Sequence, residues 1–168
     1  QCLPGVGPKS ARRMVLNLLE KNRDAGKFLS QSLMKTLELV GQCSRCRIFS
    51  ETEICSICSD PKRDKKTICI VEVVSDVFAI EESNQYKGRY FILNGHLSPI
   101  DNMGPKELGL NTLFDLVRER DIFEIILATN STLEGEATAH FIYDNLKGLN
   151  SLKISRLARG VPLGGELE

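Results

Sequence analysis

The residues with the most definite chemistry are four cysteines. Cys43-x-x-Cys46 is followed, after eight residues, by Cys55-x-x-Cys58. A two-residue gap lets both sulfurs of a knuckle face one ion, and two knuckles supply a tetrahedral set with no open coordination position. This pattern implies one structural Zn²⁺ per chain, and its binding free energy helps to fold a segment with few apolar side chains. Disulfides are the alternative reading. They need an oxidising compartment, and no basic-then-apolar leader is present to suggest secretion. Cys2 and Cys69 stand outside the pattern. Cys69 alternates with Ile68 and Ile70 and reads as strand core.

A second set lies near the start. Pro4-Gly5-Val6-Gly7-Pro8-Lys9 runs into a helical pattern that carries Arg12 and Arg13. Glycines such as Gly5 and Gly7 let a backbone approach a phosphate, and a helix N-terminus points N–H groups at it. Lys9, Arg12 and Arg13 would add attraction that does not depend on base sequence. The same string also reads as an ordinary turn into a helix. A third set is acidic. Glu72 sits in a strand pattern, and Ala128-Thr129-Asn130-Ser131-Thr132-Leu133-Glu134-Gly135-Glu136 follows another. Both fall where parallel α/β sheets place their sites, at the carboxyl ends of strands. His96 and His140 are isolated, and Tyr86, Tyr90 and Tyr143 read as packing residues. There is no Walker-type phosphate loop.

The elements that must position these groups follow from periodicity. Pro8 suits the first turn of a helix, with Ala11, Met14, Val15, Leu18 and Leu19 at helical spacing. A break is expected at Arg23–Gly26. A second helix follows, with Leu29, Leu33, Leu37 and Val40 on one stripe and Gly41 as its C-cap. Residues 60–66 are polar and read as a linker. Beyond them, strands are expected at Ile68–Val74, Tyr90–Leu93, Ile125–Ala128 and Ile154–Leu157. Helices are expected from Ser75 to Glu82, around Leu110–Val117 and at Glu134–Leu146. Strands alternating with helices argue for a mainly parallel sheet. The fold class is therefore α+β and multidomain: residues 1–41, a zinc module and linker at 42–66, and an α/β unit at 67–168.

Composition agrees with a folded chain of this kind. Of 168 residues, 42% are apolar and 26% charged, which excludes a disordered or collagen-like chain. No apolar run reaches the length of about 18 residues that a membrane-spanning helix needs. The net charge of zero hides a division. Residues 1–66 carry thirteen Lys and Arg against seven Asp and Glu, a net +6, and residues 67–168 carry nine against fifteen, a net −6. A basic half followed by an acidic half suggests two kinds of partner, nucleic acid for the first.

Several stretches resemble known families. The glycine turn and its helix resemble the hairpin of helix-hairpin-helix DNA-binding motifs. The acidic half resembles a Toprim domain, the fold of topoisomerases, primases and some nucleases. Catalytic Toprim members hold Mg²⁺ with a strand Glu, an Asp-x-Asp pair and a further Glu. Glu72 and Glu134 match the glutamates here, whereas Asn130 and Thr132 stand at the aspartate positions. The resemblance leaves room for weakened Mg²⁺ binding and, as the alternative function, a Mg²⁺-dependent nuclease, primase or topoisomerase-type enzyme. The order of hairpin, zinc module and degenerate Toprim domain is similar to that of the bacterial RecR family. Gly95-His96-Leu97-Ser98-Pro99 and Gly160-Val161-Pro162-Leu163-Gly164-Gly165-Glu166-Leu167 add to that likeness, which covers essentially the whole chain.

The resemblance implies a non-enzymatic recombination mediator in DNA repair, cytoplasmic and associated with the nucleoid. It implies sequence-nonspecific DNA binding through Gly5, Gly7, Lys9, Arg12 and Arg13, and zinc at Cys43, Cys46, Cys55 and Cys58. It also implies RecO, and in some bacteria RecF, as partners in loading RecA onto single strands. Glu72, Glu134 and Glu136 are the candidates for the acidic partner face. Family members form ring-like homo-oligomers, often tetramers. Against the family pattern, a helical segment before the hairpin and a strand and tail after Glu168 are expected to be missing. Gln1 in place of Met is expected to mark a fragment or a processed form.

Overall fold

The computed structural model describes residues 3–119 and 121–157. The expectations for Cys2 and for the Gly160–Leu167 segment lie outside the described residues. Two units are separable, Gln1–Val40 and Gly41–Glu168.

The first unit is a pair of helices. α1 (Pro8–Lys21) starts on Gly7, with Pro8 in its first turn and a bond from Ala11 N to Gly7 O of 2.9 Å. Gly5 has φ +74, in the left-handed region that glycine adopts without Cβ strain, and this bends the chain into the helix. α2 (Arg23–Leu39) follows after one residue. Asn22 is its N-cap, with Oδ1 accepting from Ala25 N at 3.0 Å. The expected break at Arg23–Gly26 is therefore the first turn of α2. An Asn cap satisfies an orphan N–H there, and helix propensity outweighs the cost of one glycine. Neither helix has a buried residue. Leu29, Leu33 and Leu37, the expected apolar stripe, are all exposed.

The second unit begins with a small ribbon. β1 (Gly41–Gln42) pairs antiparallel with β2 (Phe49–Ser50), and α3 (Ser56–Ser59) follows. Gly41 is thus in a strand, and Val40 is the C-cap of α2. Then come β3 (Thr67–Val71), α4 (Val74–Glu82), β4 (Arg89–Ile92), α5 (Leu110–Glu119), β5 (Glu124–Ala128), α6 (Leu133–Leu146) and β6 (Lys153–Arg156). The four long strands form one sheet in the order β4-β3-β5-β6, and every pairing is parallel. β3 ends at Val71, short of the expected Val74. Asp76 Oδ2 accepts the Val73 N–H at 3.0 Å and turns the chain into α4, so Asp76 and not Ser75 secures the helix start.

Side-chain alternation divides this sheet into two faces. Ile68, Ile70, Phe91, Leu93, Ile125 and Leu127 face one core with Leu110, Leu113 and Val117 of α5 and Ala139, Ile142 and Leu146 of α6. Cys69, Val71, Tyr90, Ile92 and Ala128 face the other, packed with Val77 of α4, Ile48 and the four knuckle cysteines. The cysteine module is therefore a lid on one face of the sheet. Among the described residues, no helix is long and apolar enough to cross a membrane.

Candidate functional site

The cysteine module assembles from backbone turns. Cys43 N donates to Ile48 O at 2.8 Å and Arg47 N to Cys43 O at 2.9 Å, which folds the first knuckle around Arg47 at φ 67. In the second, Cys55 precedes α3 and its Sγ accepts from Cys58 N at 3.4 Å. Cys55 N in turn donates to Cys43 Sγ at 3.4 Å, which ties the knuckles together. All four cysteines are buried, and their sulfurs lie within 4.8 Å of one another. Cys46 and Cys55 have an Sγ–Sγ distance of 3.5 Å. Tetrahedral Zn²⁺ with Zn–S near 2.3 Å places sulfurs about 3.8 Å apart, so the donor set fits one structural zinc.

The electrostatics divide the four thiols, with Cys43 and Cys58 lowered and Cys46 and Cys55 raised. The bond from Cys46 lowers the Cys58 thiol to about 6, and the same bond raises Cys46. Burial pushes Cys43 upward, but backbone N–H groups from Cys55, Cys46 and Arg45 outweigh it and leave Cys43 below its usual value. Burial raises Cys55. Zinc needs deprotonated sulfur, and N–H donors supply part of that stabilisation before the ion adds its charge.

Arg47 fastens the module to the sheet, a role with no local sequence signal. Its guanidinium donates to the carbonyls of Leu108, Leu93 (3.4 Å) and Glu107 (3.3 Å) and lies 5.8 Å from the Phe91 ring centroid. Ile92 N of β4 donates to Cys46 O at 3.0 Å, so the knuckle also takes a donor from the end strand of the sheet.

At the carboxyl end of the sheet, a cleft of about 480 Å³ is lined by Asp76, Thr129, Asn130, Ser131, Glu136 and Arg156, among others. Glu72 follows β3 and is only 3% exposed. Its Oε1 accepts from Asn130 N at 2.8 Å and its Oε2 from Asn130 Nδ2 at 2.7 Å. His96 Nδ1 lies 3.5 Å from the same Oε2. Glu134 is exposed on the first turn of α6, which Thr132 caps through a bond from Gly135 N to its Oγ1 of 3.1 Å. Glu136 pairs with Arg156 at 2.8 Å. The three glutamates expected on an acidic face are thus near one strand-end region, with Glu72 inside and Glu134 outside. Arg156 and His96 were not among the expected site residues. Arg156 comes from β6, distant in sequence from α6, and only the β5–β6 pairing brings them together.

Lys9, Arg12 and Arg13 are exposed near the start of α1 and line a shallow groove with Asn17, Glu20 and Lys21. Spacings of three and four residues put the three cations on one helix face. No acidic residue occupies that first turn.

These features define a class: a parallel Toprim-type sheet with a four-cysteine zinc module on one face, in a chain that begins with a pair of helices. Family models agree segment by segment. The RecR helix-hairpin-helix model matches residues 1–37, the RecR four-cysteine zinc finger domain matches residues 40–60, and the Toprim domain matches residues 66–158. The chain is 50% identical to the Recombination protein RecR of Coxiella burnetii over all of its length and 84% of the relative's. It is 53% identical to the Recombination protein RecR of Hahella chejuensis over 98% of its length and 82% of the relative's. The chain belongs to the RecR family.

Proposed function

We propose that the chain is a DNA-binding recombination mediator that acts without catalysing a reaction. The observation that carries this reading is the cationic face of α1, with Lys9, Arg12 and Arg13 exposed behind the Gly5 turn. Contacts of this kind go to phosphates, so binding is tolerant of base sequence and weakens with salt. Gly5 and Gly7 support it, because a Cβ at either position would meet nothing within 4 Å and the backbone there is open to approach. The setting that goes with this reading is repair in the cytoplasm, on nucleoid DNA.

The division of labour follows three segments. Residues 1–41 bind DNA, the zinc module at 42–66 holds shape, and the Toprim segment from 67 offers an acidic face to a basic protein partner of the RecO type, with RecF as a further partner. Glu134 and Glu136 form that face, and Glu72 acts from behind it. RecA loading onto single strands is the outcome of this assembly. Homo-oligomers, up to a ring of four, are part of the proposal. The many exposed large apolar residues of α1 and α2, including Leu16, Leu19, Phe28 and Leu33, support it, because exposed apolar surface of this kind suits a subunit contact.

The test incubates the zinc-loaded chain with supercoiled and with single-stranded DNA, with and without Mg²⁺. Gels are run before and after protein removal. A shift that disappears on deproteinisation and leaves the DNA unchanged supports the mediator. Nicked, relaxed or shortened DNA that needs Mg²⁺ and Glu134 replaces it with the Toprim enzyme reading.

A further inference from the structure

The Toprim fold implies Mg²⁺ at the carboxyl end of the sheet, and the residues present do not fit it. Both oxygens of the Glu72 carboxylate already accept N–H groups from Asn130, at 2.8 Å from the backbone and 2.7 Å from the side-chain amide. The first turn of α6 packs against Oε1: a Cβ on Gly135 would lie 2.7 Å from it and nearer still to Asn130 O, so the carboxylate is hemmed in on that side, while the Asn130 side-chain amide occupies Oε2. Mg²⁺ demands six oxygens at about 2.0–2.1 Å and usually keeps several waters. Of the other acids nearby, Asp76 holds the start of α4 and Glu136 pairs with Arg156, which leaves the exposed Glu134. Among the described residues, only the four knuckle cysteines bring three or more ligand atoms together.

We propose that Asn130 takes the place of the divalent cation, so that Glu72 is a positioning residue and this cleft is built to hold its shape without metal. A carboxylate that is 3% exposed requires compensation. In a metal-binding Toprim site a cation supplies it. Here two charge-assisted hydrogen bonds from one residue supply it, with His96 Nδ1 also 3.5 Å from Oε2. They tie the strand end after β3 to the loop after β5, across a sequence separation of 58 residues. The loop so fixed carries Thr132, which caps α6, and the exposed Glu134 stands on the first turn of that helix. The inference stands on this loop geometry and not on the mediator reading, so failure of DNA binding leaves it intact.

The test compares thermal unfolding of the zinc-loaded wild type with that of N130D, each with and without millimolar Mn²⁺ or Mg²⁺. The wild type gives the same Tm in all conditions. N130D removes the side-chain amide donor, keeps the backbone N–H, and sets a carboxylate beside Glu72, so it melts lower without metal. Mn²⁺ recovers it, by roughly 5–10 °C at about 100 times its Kd, and the recovery is absent from E72Q/N130D. A purely structural contact would give the loss without the metal-dependent recovery. A saturable metal shift in the wild type that E72Q abolishes overturns the proposal, as does an N130D variant that melts like the wild type or stays low with metal. If N130D fails to fold, amide resonances of the wild type decide. Paramagnetic Mn²⁺ that selectively broadens Asn130 and Gly135 overturns the proposal, and unbroadened signals uphold it.

Discussion

Arg47 of the first cysteine knuckle and Gly109 before α5 share one space: a Cβ on Gly109 would lie 2.5 Å from Arg47 Nη1. Gly109 has φ +69, where other residues are strained, and its missing side chain admits the guanidinium to the carbonyls of Leu108 and Glu107. The G109A variant therefore both strains the backbone and evicts a charged donor, at a combined cost of about 2–4 kcal/mol. R47A loses the donor alone. Because the two changes remove the same contact, R47A/G109A costs less than the sum of the singles in urea unfolding. Strict additivity would mean that the two residues do not act together.

Zinc removal has a consequence beyond the knuckles. The cysteines share a core with Tyr90, Ile92 and Cys69 on one face of the sheet. Chelation, or C46S, uncovers that face and frees the Ile92 N–H that Cys46 O accepts. The loss is expected to be several kcal/mol, which lowers Tm by roughly 10 °C or more in a chain of this size. The sequence contains no Trp and three Tyr; Tyr86 and Tyr90 pack in the covered core and Tyr143 lies exposed on α6, so the part of tyrosine emission that changes on zinc removal reports on the covered face. Metal analysis should give one zinc per chain, and emission should change in step with its removal. Emission that stays constant while zinc leaves would place the module off the sheet.

The pairing of Arg63 and Glu81 sets an acid limit. Arg63, in the segment before β3, bonds both oxygens of Glu81, and Tyr90 donates to the same carboxylate at 2.5 Å. Arg63 chiefly, with Tyr90 adding, holds the Glu81 carboxyl below its usual 4.5. A depressed carboxyl binds fewer protons folded than unfolded, so its stabilisation is complete above about pH 4.5 and is lost as pH falls through the folded value. E81Q, which cannot ionise, should remove about 1–2 kcal/mol at neutral pH and flatten the acid limb below pH 4.5. Denaturation curves at pH 7 and pH 3 test it: the gap between E81Q and wild type should shrink at the lower pH.

Elements with local signals were legible in the sequence, and those set by distant contacts were not. The Cys43–Cys58 spacing stated the zinc module in full, because a metal knuckle is a local device. The runs at Ile68, Tyr90, Ile125 and Ile154 stated the parallel sheet. Helix ends were misplaced wherever a side chain decided them, at Asn22 before α2 and at Asp76 in α4. Glu72 was recognisable as a strand-end glutamate, yet its partner Asn130 is 58 residues away. Arg47 is one of several basic residues in its half of the chain, and only folding places Gly109 against it. The ribbon strands β1 and β2 span two residues each, too short for a period of two to appear.

The cationic face of α1 makes a quantitative claim about salt. Lys9 and Arg13 are four residues apart on one face, exposed, and in separate turns from the residues that begin α2. If each neutralises a duplex phosphate, the slope of log K against log salt falls by about 0.9 per contact removed. K9A/R13A should therefore flatten the slope by about 2 and weaken binding alike on unrelated sequences. Neither side chain supports the fold, so zinc content and Tm should match the wild type. A variant with weaker binding but an unchanged slope would mean that these residues shape the helix without meeting phosphate. An unchanged affinity would move the DNA face away from α1 altogether.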